Sequence, residues 1–155
     1  MVNALVKNSG VQGNGDFATK NLKKDEKIFK FSNNLITILH KPGCDCDVCK
    51  RCINLKKDKW LYPKKDSLGW NLNHSCNPNS YSKGRDIFAL RKIKKGEEIT
   101  IDYSTTSIDK KWSMRCICGL KNCRKIIRSI QFLPLNLFNR YRGLMPRYVE
   151  SNYGK

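Results

Sequence analysis

Asn73-His74-Ser75-Cys76-Asn77-Pro78-Asn79 is the stretch on which the reading of this chain turns. It packs three asparagines, an imidazole, a hydroxyl, a thiol and a proline into seven positions. Neither the 3.6-residue period of a helix nor the alternation of a strand can be laid on it. Asn and Pro both favour turns, so the segment suits a rigid, hydrogen-bonded loop. Cys76, set in that loop, is a candidate metal ligand.

Moving outward, Gly96-Glu97-Glu98-Ile99-Thr100-Ile101-Asp102-Tyr103 alternates like a strand and ends on a phenol. With Asp86–Arg91 before it and Lys94-Lys95-Gly96-Glu97 between, it reads as strand, turn, strand. Upstream, Gly13-Asn14-Gly15 is a turn at which a backbone can approach a ligand closely. Taken singly these signals are weak. A G-x-G is mostly a turn, a strand-end Tyr is mostly core or surface, and a lone His is mostly structural.

The cysteines say more. Cys116-Ile-Cys118-Gly-Leu-Lys-Asn-Cys123 places three thiols where three corners of a zinc tetrahedron can be filled. Cys44, Cys46, Cys49 and Cys52 supply four more within nine residues, enough for one zinc. Cys76 is the cysteine left outside both clusters, and so the natural fourth ligand of the first. Eight cysteines then divide into two four-thiolate sites, and the two histidines are not needed as ligands. Unrelated buried thiols, or a redox-labile second cluster, are the plainer alternatives.

Composition bounds the rest. The chain has 155 residues, the size of one domain, and 39% hydrophobic content, enough for a modest core. No apolar run is long enough to cross a membrane and no secretory signal is visible, so a membrane partner is not expected. Many cysteines without such a signal point to an intracellular, reducing compartment. A net charge of +18 favours polyanionic neighbours and disfavours a free basic polypeptide. Residues 50–65 carry seven basic residues and one acid and read as a solvated basic connector. Ile28–Phe31 and Leu35–Leu39 read as short strands. The tail from Lys125 reads as partly helical, interrupted by Pro134, Gly143 and Pro146.

In their order along the chain, these pieces resemble the SET-domain protein lysine methyltransferases. Gly13-Asn14-Gly15-Asp16-Phe17-Ala18, the Asn73–Asn79 string, Gly96–Tyr103 and Cys116–Arg124 match that family's motifs, over about residues 10–125. The resemblance implies a mainly β fold with short helices: several small β-sheets around a pseudoknot-like crossing of Asn73–Asn79 with Asp102-Tyr103. It implies a SET domain over 1–115 with an inserted cysteine knuckle at 42–52, a post-SET zinc segment over 116–128, and a partly helical tail over 129–155.

By the same resemblance, S-adenosylmethionine lies against Gly13, Asn14, Gly15, Phe17, Ala18, Asn73, His74 and Tyr103. Tyr103 is the catalytic tyrosine and Tyr81 a second wall of the lysine channel. Ile101, where some relatives carry a Tyr that limits product to monomethyl-lysine, points toward di- or trimethylation. Cys76, Cys116, Cys118 and Cys123 hold the post-SET zinc. The substrate is a protein with a target lysine, a histone or nucleosome among the candidates, since histone tails are the family's commonest targets, though small single-domain members also modify other proteins.

The chain also departs from the family. Trp70-Asn71-Leu72 replaces the usual aromatic or basic residues before Asn73, and Lys125-Ile126-Ile127 follows Arg124 instead of glycine and an aromatic. The Cys44–Cys52 insert and its basic flank lie where the family shapes substrate choice, and read as recognising substrate or nucleic acid. The competing function is a non-catalytic SET-like zinc module that holds nucleic acid or chromatin; a small zinc-finger protein fits the spacings less well. Oligomeric state is not legible, and a nuclear and a microbial or viral cytoplasmic location stay equally open.

Overall fold

The computed structural model describes residues 2–31, 35–36, 51–57 and 59–155. Cys44, Cys46 and Cys49, and with them most of the expected knuckle at 42–52, lie outside the described residues, as does 37–39 of the expected Leu35–Leu39 strand. Twelve short strands are described: β1 Ala4–Asn8, β2 Asn14–Ala18, β3 Lys27–Lys30, β4 Leu35–Ile36, β5 Ile53–Lys56, β6 Lys59–Leu61, β7 Asn73–His74, β8 Ser80–Lys83, β9 Asp86–Ala89, β10 Glu98–Ile101, β11 Ser113–Arg115 and β12 Ile126–Arg128. Two helices close the chain, α1 Leu135–Tyr141 and α2 Arg147–Glu150. A prolyl residue stands at the start of each, Pro134 and Pro146, where its missing N–H costs nothing.

The strands form four small sheets, ordered β1-β2-β10-β7, β3-β9-β8, β4-β6-β5 and β11-β12. All described pairings are antiparallel except β10 with β7, where Thr100 faces Asn73 and Ile101 faces His74. The main core gathers Ile28, Phe29, Phe31, Leu61, Ile87, Ile93 and Ile99, each at most 2% exposed. A second cluster, built on Ile130, Phe138, Tyr141 and Val149, docks the helical tail. A third joins Trp112 and Ile127 to Cys76 and Cys116.

Two expectations change. Residues 50–65 are not a solvated connector: β5 and β6 form a hairpin in which Asn54 and Leu61 are fully buried. Lys56, Lys57 and Lys59 crowd its tip, so the charge of the window hid the short apolar alternation at its base. Strands β9 and β10, which read as strand, turn, strand, do not pair but belong to different sheets. The connection carries Ile93, 1% exposed, which bridges Leu22 through two backbone hydrogen bonds and leads the chain from one sheet to the next.

Candidate functional site

The site is built where β7 and β10 run side by side. Beyond β7, the backbone N–H of Ser75 donates to Ile101 O at 3.0 Å, so the polar loop continues the parallel ladder. Asn79 then substitutes for a neighbouring strand. Its side-chain amide donates to Glu98 O at 2.7 Å, and its carbonyl accepts the Thr100 N–H at 2.9 Å. Ser80 Oγ adds a third bond to this backbone, donating to Thr100 O at 2.9 Å. A side chain with both a donor and an acceptor is needed for that double contact, which explains an amide at 79.

Asp102 ends the strand and caps a 3-10 turn over Tyr103–Thr105, accepting the Ser104 N–H at 3.0 Å. The turn swings Tyr103 back over the loop. Its backbone N–H donates to His74 Nδ1 at 3.2 Å and its hydroxyl donates to Leu72 O at 2.7 Å. Burial pushes the phenol up to about 12; the Arg51 guanidinium opposes the rise, while Asp16 and Glu98 add to it. Tyr103 is therefore a neutral, oriented phenol at ordinary pH. Burial pushes His74 down to about 4, against the pull of the Asp102 carboxylate. A neutral His74 accepts at Nδ1 and offers its Nε2 proton toward Cys76 Sγ, 3.4 Å away.

Asn73 ties the glycine turn to this strand pair. Its amide donates to Asn14 O at 3.0 Å and to Glu98 Oε1 at 2.7 Å. Ser9 Oγ donates to the other Glu98 oxygen at 3.0 Å. A Cβ at position 15 would run into this held carboxylate, so Gly15 is a close-approach glycine.

A cavity of about 290 Å³ opens over these residues, bordered by Gly13, Asn14, Asn73, His74, Tyr103 and Trp112 among others. A second of about 120 Å³ shares Asn73, His74 and Met114 with it and adds the apolar Val11, Ile117 and Leu120. A third, narrow cavity of about 20 Å³ also borders Tyr103, together with Phe31, Trp70, Leu72 and Ile101. Tyr103 and Arg51 line both the widest and the narrowest of the three.

Beside this site, the sulfurs of Cys76, Cys116, Cys118 and Cys123 lie within 4.8 Å of one another. A zinc–sulfur bond of about 2.3 Å in a tetrahedron sets sulfurs about 3.8 Å apart. Cys76 and Cys116 are 3.7 Å apart. Backbone N–H groups of Arg124 and Lys125 donate to the sulfurs of Cys76 and Cys123, at 3.3 and 3.4 Å. Burial pushes the Cys116 thiol up, while hydrogen bonds bring the neighbouring Cys118 thiol down to about 7 against its own burial. Arg124 joins the cluster to the tyrosine turn, donating to Asp102 at 2.6 Å and Ser104 at 3.1 Å.

Of the residues expected at the site, Gly13, Asn14, Asn73, His74 and Tyr103 come together around the widest cavity, and Ile101 lines the narrow one. Gly15 acts through Glu98. Phe17 and Ala18 stay within β2, opposite Leu5 and Ala4, and border none of the three cavities. Tyr81 stacks on Phe88 and donates to Asp25 at 3.2 Å, and it too borders none of them. Cys52, 6% exposed, lines the narrow cavity. Sequence reading placed Arg51 only within the insert and basic flank read as recognising substrate or nucleic acid, and gave Glu98 and Trp112 no role; Glu98 stood inside a quoted motif, whereas nothing local marked Trp112.

Comparison with known proteins agrees with this architecture. The family profile described as SET domain matches residues 13–104, more than half of the chain. The histone-lysine N-methyltransferase trithorax of Drosophila virilis is 35% identical over 136 residues, covering 77% of this chain and 3% of that protein. The H3 lysine-36 specific histone-lysine N-methyltransferase of Debaryomyces hansenii is 34% identical over 139 residues, covering 79% of this chain and 19% of its own. The chain thus spans a small part of these curated relatives. A crystal structure from Plasmodium falciparum, assigned as a histone methyltransferase, superposes with a TM-score of 0.53 at 25% identity, over 66% of this chain and 94% of that one. With its polar loop laid along β10 and a four-cysteine cluster beside the tyrosine turn, the chain belongs to the SET-domain family.

Proposed function

We propose that this chain is an S-adenosylmethionine-dependent protein lysine methyltransferase acting on a histone or another chromatin protein. The observation that carries the reading is Tyr103, oriented by two hydrogen bonds and bordering both a wide cavity edged by Asn14, Asn71 and Asn73 and a narrow one edged by Phe31, Trp70, Leu72 and Ile101. The two wider cavities suit the cofactor. They share walls, approach the few hundred Å³ of small-molecule sites, and combine Asn73 and His74 with the apolar Val11, Met114, Ile117 and Leu120. The amides and glycine backbone match its amino-acid and ribose groups, and the apolar wall matches its purine.

When bound, S-adenosylmethionine supplies a sulfonium methyl that a neutral lysine amine takes in line, leaving S-adenosylhomocysteine. The chain's part is to hold and desolvate the amine. A free lysine has a pKa of about 10.4, and a narrow, mostly apolar channel lowers it by disfavouring the charged form. The proton of Tyr103 is committed to Leu72 O, so the phenol oxygen offers lone pairs that orient the amine. Held above ordinary pH, the phenol acts by position and not as a base. Ile101 leaves room for a methylated amine, which favours di- or trimethylation.

The thiolates of Cys76, Cys116, Cys118 and Cys123 are the proposed zinc ligands, and Cys44, Cys46, Cys49 and Cys52 are proposed for a second. Gathered on a zinc, Cys116 and Cys118 would hold the post-SET segment against the cavity wall they already border. Such thiolates fit the reducing interior of a cell, and among the described residues no helix is long and apolar enough to cross a membrane. The basic surface supports a contact with nucleic acid. Incubation with labelled S-adenosylmethionine and separate samples of histones, nucleosomes and lysate proteins tests the reading. Label is expected on lysine of a protein; none on any sample would leave the non-catalytic module.

A further inference from the structure

We propose that Arg51 reads a carboxylate beside the target lysine, so that the substrate class is a lysine with an acidic neighbour. This rests on the methyltransferase reading above and names the substrate that site would prefer.

Arg51 stands where the wide and narrow cavities both meet Tyr103. Its guanidinium carbon lies 4.3 Å above the Trp70 ring, and Nη1 donates to Trp70 O at 2.8 Å. Trp70 is itself fixed edge-on against Tyr62, with ring centroids 5.5 Å apart. The side chain is thus exposed yet held by a stacked ring and one hydrogen bond. A guanidinium has five N–H donors. Among the described residues, Trp70 O takes the one hydrogen bond it makes, and no carboxylate forms a salt bridge with it. A planar fork already oriented is suited to a bidentate carboxylate, because little side-chain freedom remains to be lost.

Charge favours the same partner. A lysine entering the channel brings its neighbours past Arg51. A basic neighbour sets like charges together, and an acidic one pairs. The net charge of +18 extends the preference to longer range.

The test uses the whole chain with S-adenosylmethionine and peptides carrying one central lysine. Glu, Gln or Arg is placed in turn at each of the three positions on either side. Wild type is expected to prefer Glu over Arg at one adjacent position by about tenfold or more in kcat/KM, the scale of one charge-assisted hydrogen bond. Arg51→Glu should invert that ranking, and Arg51→Lys should keep part of it. Fluorescence anisotropy of the same labelled peptides reads the ranking without turnover. Thermal unfolding checks that each variant is folded.

Inverted binding with no methyl transfer to any peptide would keep the inference and remove the methyltransferase reading. Methyl transfer whose ranking ignores Arg51→Glu would keep the reading and overturn the inference. A raised KM for S-adenosylmethionine at unchanged peptide ranking would also overturn it, assigning Arg51 to the cofactor's own carboxylate.

Discussion

The backbone N–H of Tyr103 donates to Nδ1 of His74 at 3.2 Å. Its donor belongs to the main chain, so changing the side chain at 103 leaves the bond standing. Tyr103→Phe therefore removes the phenol oxygen and little else of the site. Turnover is expected to fall by about two orders of magnitude or more, the scale on which alignment acts. Affinity for S-adenosylmethionine, read by calorimetry, should change by no more than about threefold. Because Tyr103 is raised to about 12 by burial, the wild-type pH–rate profile should show no tyrosine limb below about pH 11.

The cysteine cluster gives a metal prediction. Cys76→Ser is expected to lose one equivalent of zinc by elemental analysis and to lower the melting temperature by about 10 °C or more, since ligation is coupled to folding. A chelator should do the same to wild type. Trp112 packs against Cys76 and Cys116, so its fluorescence should shift as the metal leaves.

Ile101 borders the narrow cavity beside Tyr103 and is 3% exposed. A tyrosine there would narrow that space and bring a hydroxyl. Mass spectrometry should find di- or trimethyl-lysine from wild type and mainly monomethyl-lysine from Ile101→Tyr.

Asn79 holds two backbone groups of β10. Asn79→Ala strands a buried donor and a buried acceptor, at about 1–3 kcal/mol each. Urea unfolding should show a loss of about 2–5 kcal/mol. Asn79→Asp should lose nearly as much, because a carboxylate cannot donate to Glu98 O.

Asp16 carries a pH prediction. Burial raises its carboxyl from 3.8 to about 6; the Gly69 N–H at 2.7 Å opposes this and Glu98 adds to it. The folded state thus holds this proton more tightly than the unfolded chain does. Its contribution to stability is full below the unfolded value near 4 and is lost as pH rises through about 6. Asp16→Asn should be the more stable protein near pH 8, by about 3 kcal/mol. That advantage should vanish below about pH 4 in denaturant titrations across pH.

Much of the fold class and of the site was legible because its chemistry is written in short strings. The Asn73–Asn79 string reads as a polar loop, and from Ser75 on it is one, although Asn73 and His74 pair with β10 as the short strand β7. Cys116, Cys118 and Cys123 are close in sequence, and Cys76 was the cysteine left to join them. Asp102-Tyr103 ends an alternating strand and does so in the structure.

What stayed hidden depends on residues far apart in the chain. Gly15 is a glycine because Glu98, 83 positions on, is clamped over it by Ser9 and Asn73. Phe17 and Tyr81 carry the right residue types but border none of the three cavities: Phe17 lies opposite Leu5 within β2, and Tyr81 stacks on Phe88. The hairpin at 53–61 was masked by the charge at its own tip. Residue type and spacing by themselves determined the family and the four thiols of one cluster. Only the tertiary structure decided which of two glycines faces the cavity, that β9 and β10 part into separate sheets, and that Arg51 meets Tyr103, because each depends on packing between segments that sequence proximity does not encode.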